Sequence, residues 1–212
     1  MEFEAVTFAT KKLDSVKSFY KETLGLRVTH ETTSQVTILV GSTLVTFEQF
    51  EDDGEPFYHY AINIPSNKLQ EAKMWLEKRV TLLQHEGKNV VPFPRWNAEA
   101  LYFEDPAGNI VEWIARHNLN QTTSEPFVPS EQLLYVSEVG IVTADLGEQT
   151  KLFESLGYPV WDQGTEHFRA IGDEHGLFIT VTKDRQWFMS ERVSDFFPLE
   201  VMTKSNGKLY FY

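Results

Sequence analysis

Glu112 stands between Ile110 and Ile114 on one face of an apolar run, NIVEWIA. A lone carboxylate among apolar neighbours is costly to bury unless it is paired, coordinated or protonated, which makes Glu112 the strongest candidate for chemistry in the chain. His59 lies in a second apolar run, FYHYAINI. A strand histidine is often satisfied by a backbone carbonyl, but imidazole nitrogen and carboxylate oxygen together suit first-row divalent ions such as Fe, Mn, Zn or Ni. Two ligands make a weak site, since catalytic metals have about three plus an open position. Arg95 and Trp96 sit in the proline-bearing loop VPFPRWNAE, where an aromatic beside a cation suits the mouth of a substrate pocket.

Other chemistries are absent. The 212 residues hold no cysteine, which removes thiolate ligands, disulfides and a cysteine nucleophile. No glycine-rich phosphate loop, serine-centred elbow or zinc-protease helix is present. The stretch Asp52-Asp53-Gly54-Glu55 lacks the alternating ligands of a calcium loop and reads as a solvated connection. With a net charge of −12 and no basic stripe, nucleic acid is not an expected partner. No apolar run approaches the roughly 18 residues of a membrane helix, and the start MEFEAVTFATKK has no signal-peptide pattern, so a cytoplasmic location is expected.

The elements that must position these residues come as a repeat of roughly 50 residues, starting near Ala5, His59 and Glu138. Each copy opens with a short apolar run and continues into a helical stripe: Leu13, Val16, Phe19 or Tyr20, and Leu24 in the first copy, Leu69, Ala72 and Trp75 or Leu76 in the second. Gly25 and Gly157 supply matching helix stops. Strands are expected at LRVTHE, QVTILV and TLVTFE in copy one, and at TLLQH, ALYFE and NIVEWIA in copy two. Asp105-Pro106-Ala107-Gly108-Asn109 reads as a tight turn. Residues 118–132 are polar and aperiodic and read as a linker. The tail 183–212 carries a hairpin, LEVMT and KLYFY joined through Asn206-Gly207.

A strand–helix–three-strand repeat with LDSVKSFYKETLGLRV in one copy and LYFEDPAGNIVEW closing the next resembles the vicinal oxygen chelate superfamily of glyoxalase I, bleomycin-resistance proteins and extradiol dioxygenases. The resemblance implies an α+β fold of βαβββ modules, two of them paired into a curved sheet cup. Residues 1–117 would form that pair, and 133–212 a degenerate half built from the third module and the C-terminal hairpin. Three complete modules leave one without a mate, so either the tail hairpin completes it or a second chain does so in a symmetric homodimer.

The resemblance also implies metal ligands on the first and last strands of each module. In copy two those positions are His59 and Glu112, with Glu112 the catalytic candidate. In copy one they are Ala5 and Thr46, and Glu48 lies two residues further on the same face as a weaker third ligand. In copy three they fall on Glu138 and Thr180. The implied function is that of a small-molecule protein: a divalent-metal lyase or ring-cleaving dioxygenase, or else a metal-free, non-catalytic protein that sequesters its ligand. The loss of ligand types in copy one favours the second.

Overall fold

The computed structural model describes residues 1–212 as two mixed sheets and four short α-helices. The first module comprises β1 (Phe3–Thr10), α1 (Leu13–Ser18), β2 (Arg27–Glu31), β3 (Gln35–Val40) and β4 (Thr43–Gln49). A single π-helical turn, Phe19–Thr23, extends α1. The second comprises β5 (His59–Ile64), α2 (Leu69–Leu76), β6 (Val91–Phe93), β7 (Ala98–Glu104) and β8 (Ile110–Arg116). After α3 (Pro129–Gln132), the third runs through β9 (Tyr135–Thr143), α4 (Leu146–Ser155), β10 (Val160–Thr165), β11 (Phe168–Asp173) and β12 (Gly176–Thr182). The tail adds β13 (Leu199–Thr203) and β14 (Gly207–Phe211), the hairpin expected at Asn206-Gly207.

The modules do not pair as the sequence reading expects. Strand order in the eight-stranded sheet is β10-β11-β12-β9-β5-β8-β7-β6, so modules two and three share the curved sheet through the antiparallel β5–β9 seam. The other sheet runs β14-β13-β1-β4-β3-β2, and the tail hairpin therefore completes module one rather than module three. Burial explains the choice. Central strands of a covered sheet need apolar character on both faces. All six residues of β5 and all seven of β8 are buried. In β1 burial alternates, with Val6, Phe8 and Thr10 buried and the residues between them partly exposed. Residues 118–132 thus connect two modules of one sheet.

One further strand moves. The run TLLQH forms only isolated bridges, Leu82 to Phe103 and His85 to Lys88, and the edge strand is β6. Between them the polar turn at Glu86 (φ 51°) and Gly87 (φ 75°) redirects the chain. Pro92 is tolerated because β6 is an edge strand that pairs only with β7.

The large core lies where the sheets face each other, with Phe8 stacked on Tyr60 at 5.0 Å and Tyr20 on Phe47 at 5.2 Å. The Tyr20 hydroxyl bonds that of Tyr60 and donates to Asp105 Oδ2 at 2.9 Å. Asp105 also accepts from the backbone N–H groups of Ala107 and Asn109, which closes the expected turn and aims the chain into β8. Helix α4 begins where Asp145 caps the Glu148 N–H at 3.0 Å. The second, smaller core lines the concave face of the eight-stranded sheet.

Candidate metal centre and ligand cavity

Three neighbouring strands at the middle of the eight-stranded sheet carry the charged cluster. Ala61 on β5 lies opposite Glu112 on β8 and opposite Glu138 on β9, so both carboxylates flank one methyl group. His59, two residues before Ala61, points to the same face. His59, Glu112 and Glu138 are 8%, 2% and 2% exposed.

The histidine is oriented by its outer nitrogen. Nδ1 lies 3.2 Å from the Ile110 carbonyl, its register partner across the strand pair, so Nδ1 carries the proton donated to that oxygen. Nε2 is left facing the carboxylates, at 3.6 Å from Glu112 Oε2 and 3.7 Å from Glu138 Oε2. A backbone carbonyl behind a histidine is the arrangement that fixes the tautomer of a metal ligand. Glu138 is oriented in the same way, since its Oε1 accepts from Arg116 Nη2 while Oε2 faces His59. Arg116 Nε donates to Asn63 Oδ1 at 3.2 Å.

The donor set fits a divalent ion. One ligand atom from each residue lies within 4.8 Å of the others. Donors about 2.0–2.2 Å from a shared ion stand roughly 3–3.5 Å apart, only slightly closer than here. Burial, and next the charge of Glu138, push Glu112 well above the usual carboxylate range, while Tyr102 and Arg116 pull it down less strongly. Tyr102 lies opposite Glu112 on β7, and burial together with the carboxylate charges keeps its phenol protonated.

This cluster forms the floor of a cavity of about 340 Å³. Phe93, Trp96, Tyr102, Phe168, Trp187 and Phe188 supply aromatic walls, with Arg95, Asp162, Ile179 and Arg185 among them. The mouth is tied across the two modules: Asp162 Oδ1 accepts from Arg95 at 3.1 Å and Oδ2 from the Trp96 indole at 2.9 Å. Burial alone would raise the Asp162 pKa, but Trp96, the Gly164 N–H and Arg95 outweigh it and hold it below the ordinary value. Trp187 reaches in from the tail, its ring 5.8 Å from His59. It lies on Gly140, where a Cβ would come within 2.7 Å of the indole.

The expected site residues divide clearly. His59, Glu112, Arg95 and Trp96 all line the cavity. Glu48 does not join them: it lies exposed on β4 of the other sheet, and the third carboxylate of the cluster is Glu138. The last-strand position of module three also shifts by one. Gly140, the counterpart of Ala61, lies opposite Ile179, so Ile179 rather than Thr180 corresponds to Glu112. Thr180 falls on the opposite face by strand alternation and is buried with its hydroxyl unpartnered. Arg116, Arg185 and Trp187 were not expected. A glycine inside the third apolar run, EVGIV, is the one sequence sign that another group approaches closely there.

No family model and no curated protein matches this sequence. Solved structures do. A candidate dioxygenase from Bacillus subtilis superposes with a TM-score of 0.63 at 13% identity, covering 99% of this chain and 84% of its own. A point variant of glyoxalase I from Zea mays gives 0.55 at 16% identity, over 85% of this chain and 66% of its own. The chain carries the vicinal oxygen chelate fold. A glyoxalase/bleomycin resistance protein/dioxygenase from Nocardioides gives a TM-score of 0.45 at 16% identity, over 59% of this chain and 89% of its own. At these identities the likeness is one of fold. No helix is long and apolar enough to cross a membrane.

Proposed function

We propose that this vicinal oxygen chelate protein is a divalent-metal-dependent enzyme acting on a small molecule, with His59, Glu112 and Glu138 as the metal ligands. The observation that carries the reading is the convergence of His59 Nε2 with the two carboxylates on the floor of a cavity, His59 and Glu138 each held from behind. One histidine and two carboxylates suit Fe, Mn, Zn or Ni and leave positions open toward the cavity. When bound, such an ion supplies Lewis-acid polarisation of substrate oxygens, the chemistry shared by lyase and dioxygenase readings.

The chain's own residues do the rest. Burial and the charge of Glu138 push the Glu112 pKa up, and a metal would take it as the carboxylate, because ligands must be deprotonated. Tyr102 offers a phenol O–H beside Glu112, suited to orienting a substrate oxygen. Asp162, Arg95 and Trp96 hold the mouth, and the aromatic walls exclude water. The test is equilibrium dialysis of chelator-stripped protein against Mn, Fe, Zn and Ni salts. We expect one ion per chain, and loss of more than about 100-fold in affinity for His59→Ala and Glu112→Gln. Binding unchanged in both variants would overturn the assignment.

The metal-free sequestering alternative keeps one supporting observation: the counterpart of Glu112 in module three is the apolar Ile179. A stoichiometric ligand complex that survives chelation without turnover would favour it.

A further inference from the structure

Of the two guanidinium groups that line the cavity, one is already committed. Arg95 is paired with Asp162 and largely exposed. Arg185 is different. It is half-buried in the cavity wall, and its side chain meets the Phe168 ring at 5.4 Å instead of a carboxylate. Burial lowers its pKa, and its guanidinium makes no ion pair with a carboxylate. A guanidinium withdrawn from water without a partner is an unfavourable arrangement unless a ligand supplies one.

We propose that the cavity takes a small aromatic carboxylate, its ring against Phe168, Trp187 and Phe188 and its carboxylate on the Arg185 guanidinium. This names the ligand class of the cavity described above and rests on the small-molecule reading, though not on the metal. Planar rings fill a space walled by aromatic side chains better than a flexible polar chain does. A guanidinium fork matches a carboxylate with two parallel N–H donors. The overall charge sharpens the point. A chain of net charge −12 repels anions at long range, so an anionic ligand needs a dedicated local cation.

The experiment is a ¹⁹F NMR titration of full-length, chelator-treated protein with 4-fluorobenzoate and its neutral counterpart 4-fluorobenzamide. Wild type should prefer the benzoate by about tenfold. Arg185→Gln should bring the two probes to parity while leaving the benzamide unchanged, and Arg185→Lys should keep part of the preference. Equal affinities in wild type, a preference that survives Arg185→Gln, or no saturable binding of either probe would overturn the proposal. Loss of both probes together in Arg185→Gln would give Arg185 a structural role and overturn it as well. Because the titration uses metal-stripped protein, a failed metal assignment would leave the benzoate preference intact and so be told apart.

Discussion

The eight-stranded and six-stranded sheets start from the same module plan, and only the first buries charge on its concave face. Where module two has His59 and Glu112, module one has Ala5 and Thr46, and Thr46 merely bonds the Thr37 hydroxyl at 2.9 Å. The two sheets also differ in closure. Two whole modules flank the β5–β9 seam, whereas β1 is flanked by one module and a two-stranded hairpin. Closure lets buried carboxylates and imidazole converge on one point. The open sheet leaves Glu48 in water, where a carboxylate has no need of a partner. Divergence of the repeat therefore gathers the candidate ligands at one seam instead of spreading them over three copies.

The comparison can be strained most at Arg116. Its removal as Arg116→Met leaves Glu112 and Glu138 without their buried cation, and the metal-free protein should lose about 3–5 kcal/mol in urea unfolding. Saturating divalent metal should narrow that gap, and an equal loss with and without metal would contradict the account. Gly140→Ala comes next. The new methyl group meets Trp187, so about 1–3 kcal/mol should be lost and the tryptophan emission should shift as the indole leaves the cavity wall.

Asp162→Asn should cost about 1 kcal/mol near neutral pH by releasing Arg95 and Trp96. Since the folded pKa of Asp162 lies below its unfolded value of about 3.9, the wild-type advantage is fully present above that pH. It is lost as pH falls through the lower folded value, which paired unfolding curves across that range would show. The smallest effect belongs to the open sheet: Glu48→Gln should leave metal affinity unchanged and stability within about 0.5 kcal/mol.

Much of this was legible in the sequence. The repeat, the helix stops at Gly25 and Gly157, the turn at Asp105 and the carboxylate Glu112 in an apolar run all follow from local patterns, whereas the pairing of His59 with Glu112 comes from the family resemblance. What escaped were long-range choices. Glu138 becomes a partner of Glu112 only once β5 pairs with β9, a contact that no local period encodes. A hint was present: AINI, VGIV and IVEWIA are nearly continuous apolar runs, as in strands covered on both faces, whereas FEAVTFAT alternates and marks a sheet with one open face. The shift from Thr180 to Ile179 is a register matter, because one residue along a strand changes the face. Arg185 and Trp187 lie in an aperiodic tail segment whose path over the cavity is set by tertiary contacts such as Trp187 on Gly140.

The central claim is that one buried seam, and no other place in the repeat, holds a divalent ion. Anomalous scattering from crystals soaked in Mn(II) addresses it directly. The account predicts a single strong peak between His59 Nε2 and the Oε2 atoms of Glu112 and Glu138, and none on the six-stranded sheet. A peak beside Thr46 and Glu48, or none at the seam at saturating Mn(II), would contradict it.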